Sequence, residues 1–125
     1  MARPDHPHPA LRADLSRSAG EDSTVAIIGA GIGGIYLAAT LGVAGYKLRL
    51  HDIDDTRLAD VRARGGIEVE VAGEPERFAA IERVTTELAA AADGAGIIIV
   101  TTGGNYQEAV ARALAPLLRG GELIL

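Results

Sequence analysis

The chain has 125 residues, which is close to the commonest size of a single protein domain. Apolar residues make up 48% of it and aromatic residues only 3%, so its core must be built from aliphatic side chains. The net charge of −5 argues against nucleic-acid binding, and the absence of cysteine excludes disulfides, thiolate metal sites and a cysteine nucleophile. Without an apolar run of membrane-spanning length or a signal peptide, we expect a soluble cytoplasmic protein without a membrane or nucleic-acid partner.

The N-terminal part of the chain differs in character from the rest. Prolines and scattered charges leave residues 1–22 without a hydrophobic period, which predicts a disordered tail. Residues 10–18 favour at most a short helical turn within it. His6 and His8 lack a third ligand nearby, so we predict no metal site.

From residue 23 onward, apolar runs that suit buried strands alternate with helical patterns. The strands are predicted at 24–28, 46–51, 82–85, 96–101 and 123–125. The intervening helices are predicted at 32–44, at 56–64, from a cap at Thr86 to residue 92, and after a cap at Asn105. Residues 67–71 and 77–81 predict a β-hairpin inserted before the third core strand. This alternation predicts an α/β fold, a Rossmann-type doubly wound parallel sheet with its first strand central.

A glycine-rich turn joins the first strand to the first helix. It consists of Gly29, Ala30, Gly31, Ile32, Gly33 and Gly34. In a G-x-G-x-x-G turn the first glycine allows the tight bend, the second lets a pyrophosphate approach the backbone, and the third lets the helix lie close to the sheet. Free N–H groups and the positive end of the helix dipole would then bind the phosphates. The turn therefore predicts a dinucleotide site.

An acidic residue ends the second strand, as such a site requires. Asp52 lies 18 positions after Gly34, near the usual spacing of about 20. Its carboxylate is expected to accept hydrogen bonds from the adenosine ribose hydroxyls and so to favour NAD over NADP. Asp54 and Asp55 compete for that role, although both are expected to cap the next helix or face solvent. Arg57 is either a solvated helix residue or a partner for the 2′-phosphate of NADP.

A second loop at the same edge follows the fourth core strand. Thr101, Thr102 and Gly103 are expected to approach the ribose–nicotinamide half of the cofactor, although a plain connection capped by Asn105 is the alternative. We identify no acid–base or nucleophile constellation and assign no catalytic residue. His51, the one histidine of the folded region, is expected to be a packing residue.

Beyond these motifs, the chain resembles a known family. The resemblance is carried in order by residues 25–52, 64–69, 84–88, 92–100 and 113–121. It resembles the N-terminal NAD(P)-binding domain of the opine (octopine/nopaline) dehydrogenases, and more distantly ketopantoate reductase and glycerol-3-phosphate dehydrogenase. The resemblance implies reduction by NAD(P)H of an imine formed from an amino acid and an α-keto acid. It also implies that the catalytic histidine and aspartate belong to a helical C-terminal domain. Relatives often carry Val-Pro-Ala where this chain has Thr102, Gly103 and Gly104, which leaves the substrate open.

We therefore expect residues 23–125 to form an incomplete dinucleotide-binding domain, truncated before that helical domain. NAD is the expected cofactor, with NADP and then FAD as alternatives. The chain alone is expected to lack dehydrogenase activity, because a small-molecule substrate would bind only with the missing domain. An open apolar edge at residues 123–125 predicts marginal stability or self-association. A flavoprotein domain and a non-catalytic NAD-binding module remain alternative functions.

Overall fold

The structure is a computed structural model that describes residues 24–125. The predicted tail at 1–22, with its helical turn and with His6 and His8, lies outside the described residues. Among the helices of residues 24–125, none has the length and apolar character needed to cross a membrane.

Strands and helices alternate along the described chain much as the hydrophobic pattern predicts. The strands are β1 (Thr24–Ile28), β2 (Lys47–His51), β3 (Gly66–Val69), β4 (Arg77–Ala80), β5 (Arg83–Thr85), β6 (Ala95–Val100) and β7 (Leu123–Ile124). The helices are α1 (Ile32–Val43), α2 (Asp55–Arg64), α3 (Leu88–Ala92) and α4 (Gly104–Leu114), the last followed by a 3-10 turn at Ala115–Leu117.

Five parallel strands form the main sheet, in the order β5-β2-β1-β6-β7. The central strand β1 is buried along its whole length. This burial explains its nearly continuous apolar sequence, because helices cover both faces of such a sheet. The predicted α/β, Rossmann-type sheet with the first strand in the middle is confirmed.

Alternate side chains of β1 enter two separate cores. Val25 and Ile27 pack on one face with residues of α1 and α2, such as Leu41 and Leu58. Ala26 and Ile28 pack on the other face with α3 and with Leu114 of α4. The sheet is therefore doubly wound, and the carboxyl ends of β2, β1 and β6 meet at one edge, where a ligand site is expected.

The predicted hairpin is also present, with shorter strands than the sequence indicated. Strands β3 and β4 pair antiparallel, with Gly66 opposite Ala80 and Val69 opposite Arg77. The hairpin packs against α1, where a Cβ placed on Gly42 would lie 2.7 Å from the Cβ of Ala79. The hairpin therefore packs closely against the helix that begins at the glycine turn.

Two predicted helix caps are wrong. Helix α3 has Glu87 at its N-cap instead of Thr86 and no side-chain cap, and the Thr85 hydroxyl accepts the Glu87 N–H at 2.9 Å. Helix α4 begins at Gly104 after an N-cap at Gly103, so Asn105 already lies in the first turn and no side chain caps the helix.

Candidate functional site

The first residue of the glycine turn occupies a position that only glycine fits. Gly29 has φ +120°, outside the regions that other residues readily adopt. Its N–H donates to the His51 carbonyl oxygen at 2.7 Å. A Cβ at this position would also lie 2.6 Å from Oγ1 of Thr101. The tight bend expected at Gly29 is therefore present and is fixed from both neighbouring strands.

The last glycine of the turn sets the distance between α1 and the sheet. A Cβ on Gly34 would lie 1.7 Å from the carbonyl oxygen of Gly29, far closer than two such atoms can approach. Helix α1 therefore rests directly on the backbone of the turn, as expected for the third glycine of the motif.

The two middle glycines are not required by internal packing. A Cβ on Gly33 would meet nothing within 4 Å, and one on Gly31 would meet only the Arg57 side chain, with Nη1 at 3.5 Å. Gly31 is the N-cap of α1 and has φ −76°, which any residue can adopt. Because Gly31 and Gly33 have no side chains, the outer surface of the turn is bare backbone. The packing of the fold does not require glycine at either position.

The N-terminus of α1 opens onto that bare surface. No side chain caps it, and its first turn carries no acidic residue. The first N–H groups of a helix have no intrahelical partner, and they carry the positive end of the helix dipole. Ile32 in this turn is 93% exposed. The arrangement is chemically suited to binding an anion.

Asp52 ties the glycine turn to the end of β2. Its Oδ2 accepts the Ala30 N–H at 2.8 Å and its Oδ1 accepts the Asp54 N–H at 2.8 Å. The residue is buried. Asp52 therefore also holds the glycine turn against the end of β2, a structural role that its sequence-based assignment to ribose binding did not include. A carboxylate oxygen can accept two hydrogen bonds, so each oxygen of Asp52 keeps capacity for a further donor.

The other acids at this position have local partners. Asp54 caps α2 by accepting the Thr56 N–H at 3.0 Å, and hydrogen bonding from the Thr56 hydroxyl lowers the pKa of the Asp54 carboxyl. Asp55 forms an exposed ion pair with Arg62 at 2.8 Å. The expectation that these two residues serve the helix and its surface agrees with these contacts.

Arg57 folds back toward the turn from the first turn of α2. Its Nη1 lies 3.9 Å from Oδ2 of Asp52, and its Nε lies 3.8 Å from Oδ2 of Asp54. The side chain remains 57% exposed. The structure therefore brings a guanidinium group to the edge of the candidate site.

The loop after β6 is joined to the glycine turn through Thr101. Its hydroxyl donates to the Gly29 carbonyl oxygen at 2.9 Å, and its N–H donates to the Ile28 carbonyl oxygen at 2.9 Å. Next in the chain, the Thr102 hydroxyl is buried without a hydrogen-bond partner among residues 24–125. Gly103 is exposed at the uncapped start of α4. The loop after β6 therefore contains a buried hydroxyl without a hydrogen-bond partner among residues 24–125, at the same edge of the sheet as the glycine turn.

His51 is a buried residue below this edge. Its Nε2 lies 3.2 Å from the Thr86 carbonyl oxygen, and its Nδ1 has no partner in the described part of the chain. Desolvation lowers the pKa of His51, so the ring is neutral at pH 7. Within residues 24–125 no group of three or more His, Cys, Asp or Glu side chains is placed to hold a metal ion.

Sequence reasoning missed one exposed residue beside the site. Ile53 follows Asp52 directly and is 81% exposed. The available signal was an isolated apolar residue between two aspartates, immediately after a buried strand. An exposed aliphatic side chain there offers an apolar surface next to the position expected for the adenosine.

Comparison with known proteins places this geometry in a family. Residues 25–125 match the model of the family described as ketopantoate reductase PanE/ApbA. The chain belongs to this family. The resemblance that the sequence motifs indicate is thereby confirmed.

Individual proteins are also similar to the chain in sequence or in fold. An opine dehydrogenase from Arthrobacter sp. (strain 1C) is 29% identical over 105 residues, which cover 84% of this chain and 29% of that protein. A glycerol-3-phosphate dehydrogenase (gpsA) from Coxiella burnetii superposes with a TM-score of 0.66 at 24% identity, covering 82% of this chain and 31% of that one. A diketoreductase superposes with a TM-score of 0.63 at 19% identity, covering 83% and 41%.

Together the matches describe the type of domain and its fold. The two structural neighbours share its fold, and the family and the opine dehydrogenase make it a dehydrogenase-like α/β domain. The chain spans about a third of the length of the opine and glycerol-3-phosphate dehydrogenases.

Proposed function

We propose that the chain is the NAD(P)-binding domain of an oxidoreductase and that its glycine turn holds the pyrophosphate of the dinucleotide. One observation carries this proposal: the uncapped N-terminus of α1 opens onto a turn whose middle glycines keep the backbone bare. A bound pyrophosphate would accept hydrogen bonds from the N–H groups there. Since the fold does not need glycine at Gly31 or Gly33, the binding of a ligand explains both.

The remaining site residues would hold the two ends of the dinucleotide. Asp52 would accept ribose hydroxyls with its spare lone pairs, and Ala30 and Ile32 would line the turn beside Gly29 and Gly34. Thr101, Thr102 and Gly103 would contact the ribose–nicotinamide half of the dinucleotide, at the shared edge of the sheet. When bound, the nicotinamide supplies or accepts the hydride.

We propose NAD as the preferred cofactor because of Asp52. Hydrogen bonds between a carboxylate and the ribose hydroxyls are worth about 1.5–3 kcal/mol each. With NADP the same carboxylate meets a phosphate. Two unit charges about 4 Å apart repel by roughly 4 kcal/mol at an effective dielectric constant of about 20.

The reaction we propose is reduction of an imine formed from an amino acid and an α-keto acid. The similarity to an opine dehydrogenase supports it. We assign no catalytic residue within this chain, since hydride transfer also needs a held substrate and a proton donor. The chain alone is therefore expected to bind cofactor without oxidising NADH in the presence of pyruvate and an amino acid.

Calorimetric titration tests the binding proposal. NADH should bind the wild-type chain, and Gly31→Val should weaken that binding at least about tenfold, or about 1.4 kcal/mol, by covering the bare turn. Ala63→Val, at an exposed position on α2, is the matched control and should leave the affinity unchanged. Absence of NADH binding, or equal affinity in Gly31→Val, would refute the proposal. Binding of FAD in its place would favour a flavoprotein domain, and NADH turnover by the chain would contradict the absence of catalytic residues.

A further inference from the structure

We infer that Thr101 is a positioning residue for the pyrophosphate. Its hydroxyl fixes the orientation of one peptide group in the glycine turn, and so sets the affinity for the pyrophosphate without contacting it. The inference rests on the proposed dinucleotide site and adds a side chain that acts through the turn. The contact proposed between this loop and the ribose–nicotinamide half is a separate role, and the test distinguishes the two.

The peptide group between Gly29 and Ala30 is held at both ends. Its carbonyl oxygen accepts the Thr101 hydroxyl at 2.9 Å, and its N–H donates to Oδ2 of Asp52 at 2.8 Å. The C=O and N–H groups of a trans peptide point in opposite directions. The two side chains therefore reach the turn from opposite sides, since Thr101 follows β6 and Asp52 follows β2, the two neighbours of β1 in the sheet.

The glycine at the start of the turn makes this double attachment necessary. Gly29 has φ +120°, and a residue without a Cβ adopts several backbone conformations at similar cost. The bond from the Gly29 N–H to His51 fixes the peptide group before Gly29 and leaves the one after it free to rotate. That next peptide group leads into Gly31, the N-cap of α1. Its orientation therefore decides where the first N–H groups of α1 point, and these are the groups proposed to bind the pyrophosphate.

Threonine is suited to holding this peptide group from position 101. The Thr101 N–H donates to the Ile28 carbonyl oxygen at 2.9 Å, which anchors the residue beside the end of β1. The branch at its Cβ restricts rotation of the side chain. The hydroxyl lies 3.2 Å from the Ile28 oxygen and 2.9 Å from the Gly29 oxygen. Because the Ile28 oxygen already accepts the N–H, the hydroxyl proton is directed mainly to Gly29.

The Thr101 hydroxyl lies on the inner side of the turn. A Cβ on Gly29 would stand 2.6 Å from its Oγ1, and a Cβ on Gly34 would stand 2.9 Å from it. On the bare outer surface, by contrast, a Cβ on Gly33 would meet nothing within 4 Å. A pyrophosphate on the outer surface is therefore separated from the hydroxyl by the backbone of the turn, and the hydroxyl acts on it only through the peptide group.

A matched control lies on the helix that the turn begins. The Thr40 hydroxyl donates to the Tyr36 carbonyl oxygen at 2.9 Å, within α1 and outside the glycine turn. Thr40 is buried, so Thr40→Val removes a hydroxyl-to-carbonyl bond of the same length from the same helix. A loss of affinity that came only from lower stability of α1 would appear in this variant too.

The test is to measure Kd for NADH and for ADP with the wild-type chain, Thr101→Val, Thr101→Ser and Thr40→Val. ADP carries two linked phosphates without the nicotinamide or its ribose. Thr101→Val should weaken both ligands by the same factor, at least about fivefold, because the turn is no longer pre-oriented. Thr101→Ser keeps the donor and should stay within about threefold of wild type for both. Thr40→Val should change neither Kd by more than about twofold.

Three outcomes overturn the inference. Unchanged Kd values in Thr101→Val would show that the hydroxyl does not set the affinity. A loss for NADH alone would assign Thr101 to direct contact with the ribose–nicotinamide half. An equal loss in Thr40→Val would reduce the effect to stability, which urea unfolding of each variant measures separately.

A second variant guards against crowding by the valine methyl group, which would stand where Oγ1 lies, 2.9 Å from the Gly29 oxygen. Thr101→Ala removes the same donor without that methyl group and should match Thr101→Val in both Kd values. Wild-type affinity in Thr101→Ala would contradict the inference even if Thr101→Val failed to fold. If the wild-type chain binds neither NADH nor ADP, the proposed function itself fails before any variant is compared.

Discussion

The turns after β1 and after β6 lie side by side at one edge of the sheet, and both lead into helices without side-chain caps. The two turns differ in whether their polar groups have hydrogen-bond partners. In the first turn the N–H groups of Gly29 and Ala30 are bonded to His51 and Asp52. In the second, the buried Thr102 hydroxyl has no partner in the described chain. The bend of the first turn is thus fixed by the fold while the N–H groups at the start of α1 stay open, whereas the second turn contains a buried hydroxyl without a partner.

The largest expected effect comes from crowding the first turn. Gly34→Ala places a Cβ against the Gly29 carbonyl oxygen, so α1 must move off the sheet, and we expect a loss of at least about 3 kcal/mol in unfolding free energy. Gly33→Ala meets no neighbour and should change stability by less than about 1 kcal/mol, in the stabilising direction. Urea unfolding measures both. Similar costs for the two variants would contradict the close packing at Gly34.

Removing the carboxylate that ties the first turn should have the next largest effect. In Asp52→Asn, the N–H of Ala30 or of Asp54 faces an amide NH₂ instead of an acceptor, which should cost about 1–3 kcal/mol. Asp55→Asn, in an exposed ion pair with Arg62, is the control and should cost at most about 1 kcal/mol. The free energies of unfolding decide the outcome. Equal small losses would mean that Asp52 does not hold the turn.

Two neighbouring threonines allow the sharpest comparison of the turns. Thr101→Val removes the hydroxyl that donates to Gly29, and should cost about 1 kcal/mol of stability. Thr102→Val removes a buried hydroxyl without a partner and should be neutral or stabilising. If the Thr102 hydroxyl serves the cofactor, Thr102→Val should weaken NADH binding at unchanged stability. A stability loss in Thr102→Val as large as in Thr101→Val would remove the distinction.

The smallest expected effect is the pH dependence that comes from His51. Burial lowers the pKa of its ring in the folded chain, so the unfolded chain binds the proton more readily as pH falls below about 6.5. Stability should therefore decrease on acidification through this range and be fully present above it. His51→Gln should flatten the change in unfolding free energy between pH 7.5 and pH 5.5. An unchanged slope would show that another group carries the dependence.

Much of the fold follows from local sequence. The apolar runs of β1 and β6 suit strands buried on both faces, and the glycine spacing after β1 matches one specific turn. The caps at Thr86 and Asn105 are wrong because α3 begins after Glu87 and α4 begins after Gly103, and no side chain caps either helix. The Thr85 hydroxyl accepts the Glu87 N–H just before α3 begins.

The sequence predicts which residues form the site, but not which hydrogen bonds and ion pairs join them. The positions of the glycines and Asp52 follow from the motif. The bond from Ala30 to Asp52 joins residues 22 positions apart, and depends on how β1 and β2 pair. The approach of Arg57 depends on the cap that Asp54 makes on α2. Such contacts arise only when separate elements are assembled.

The central claim is that a dinucleotide binds at the bare glycine turn, and a backbone-amide NMR titration of the full chain with NADH tests it most directly. The amide signals of Ala30 to Gly34 should shift, with smaller shifts at Thr102 and Gly103, because these groups would contact the ligand. Signals of the β3–β4 hairpin should stay in place, because it packs on the outer side of α1. Shifts confined to the hairpin, or no shifts at millimolar NADH, would contradict the account.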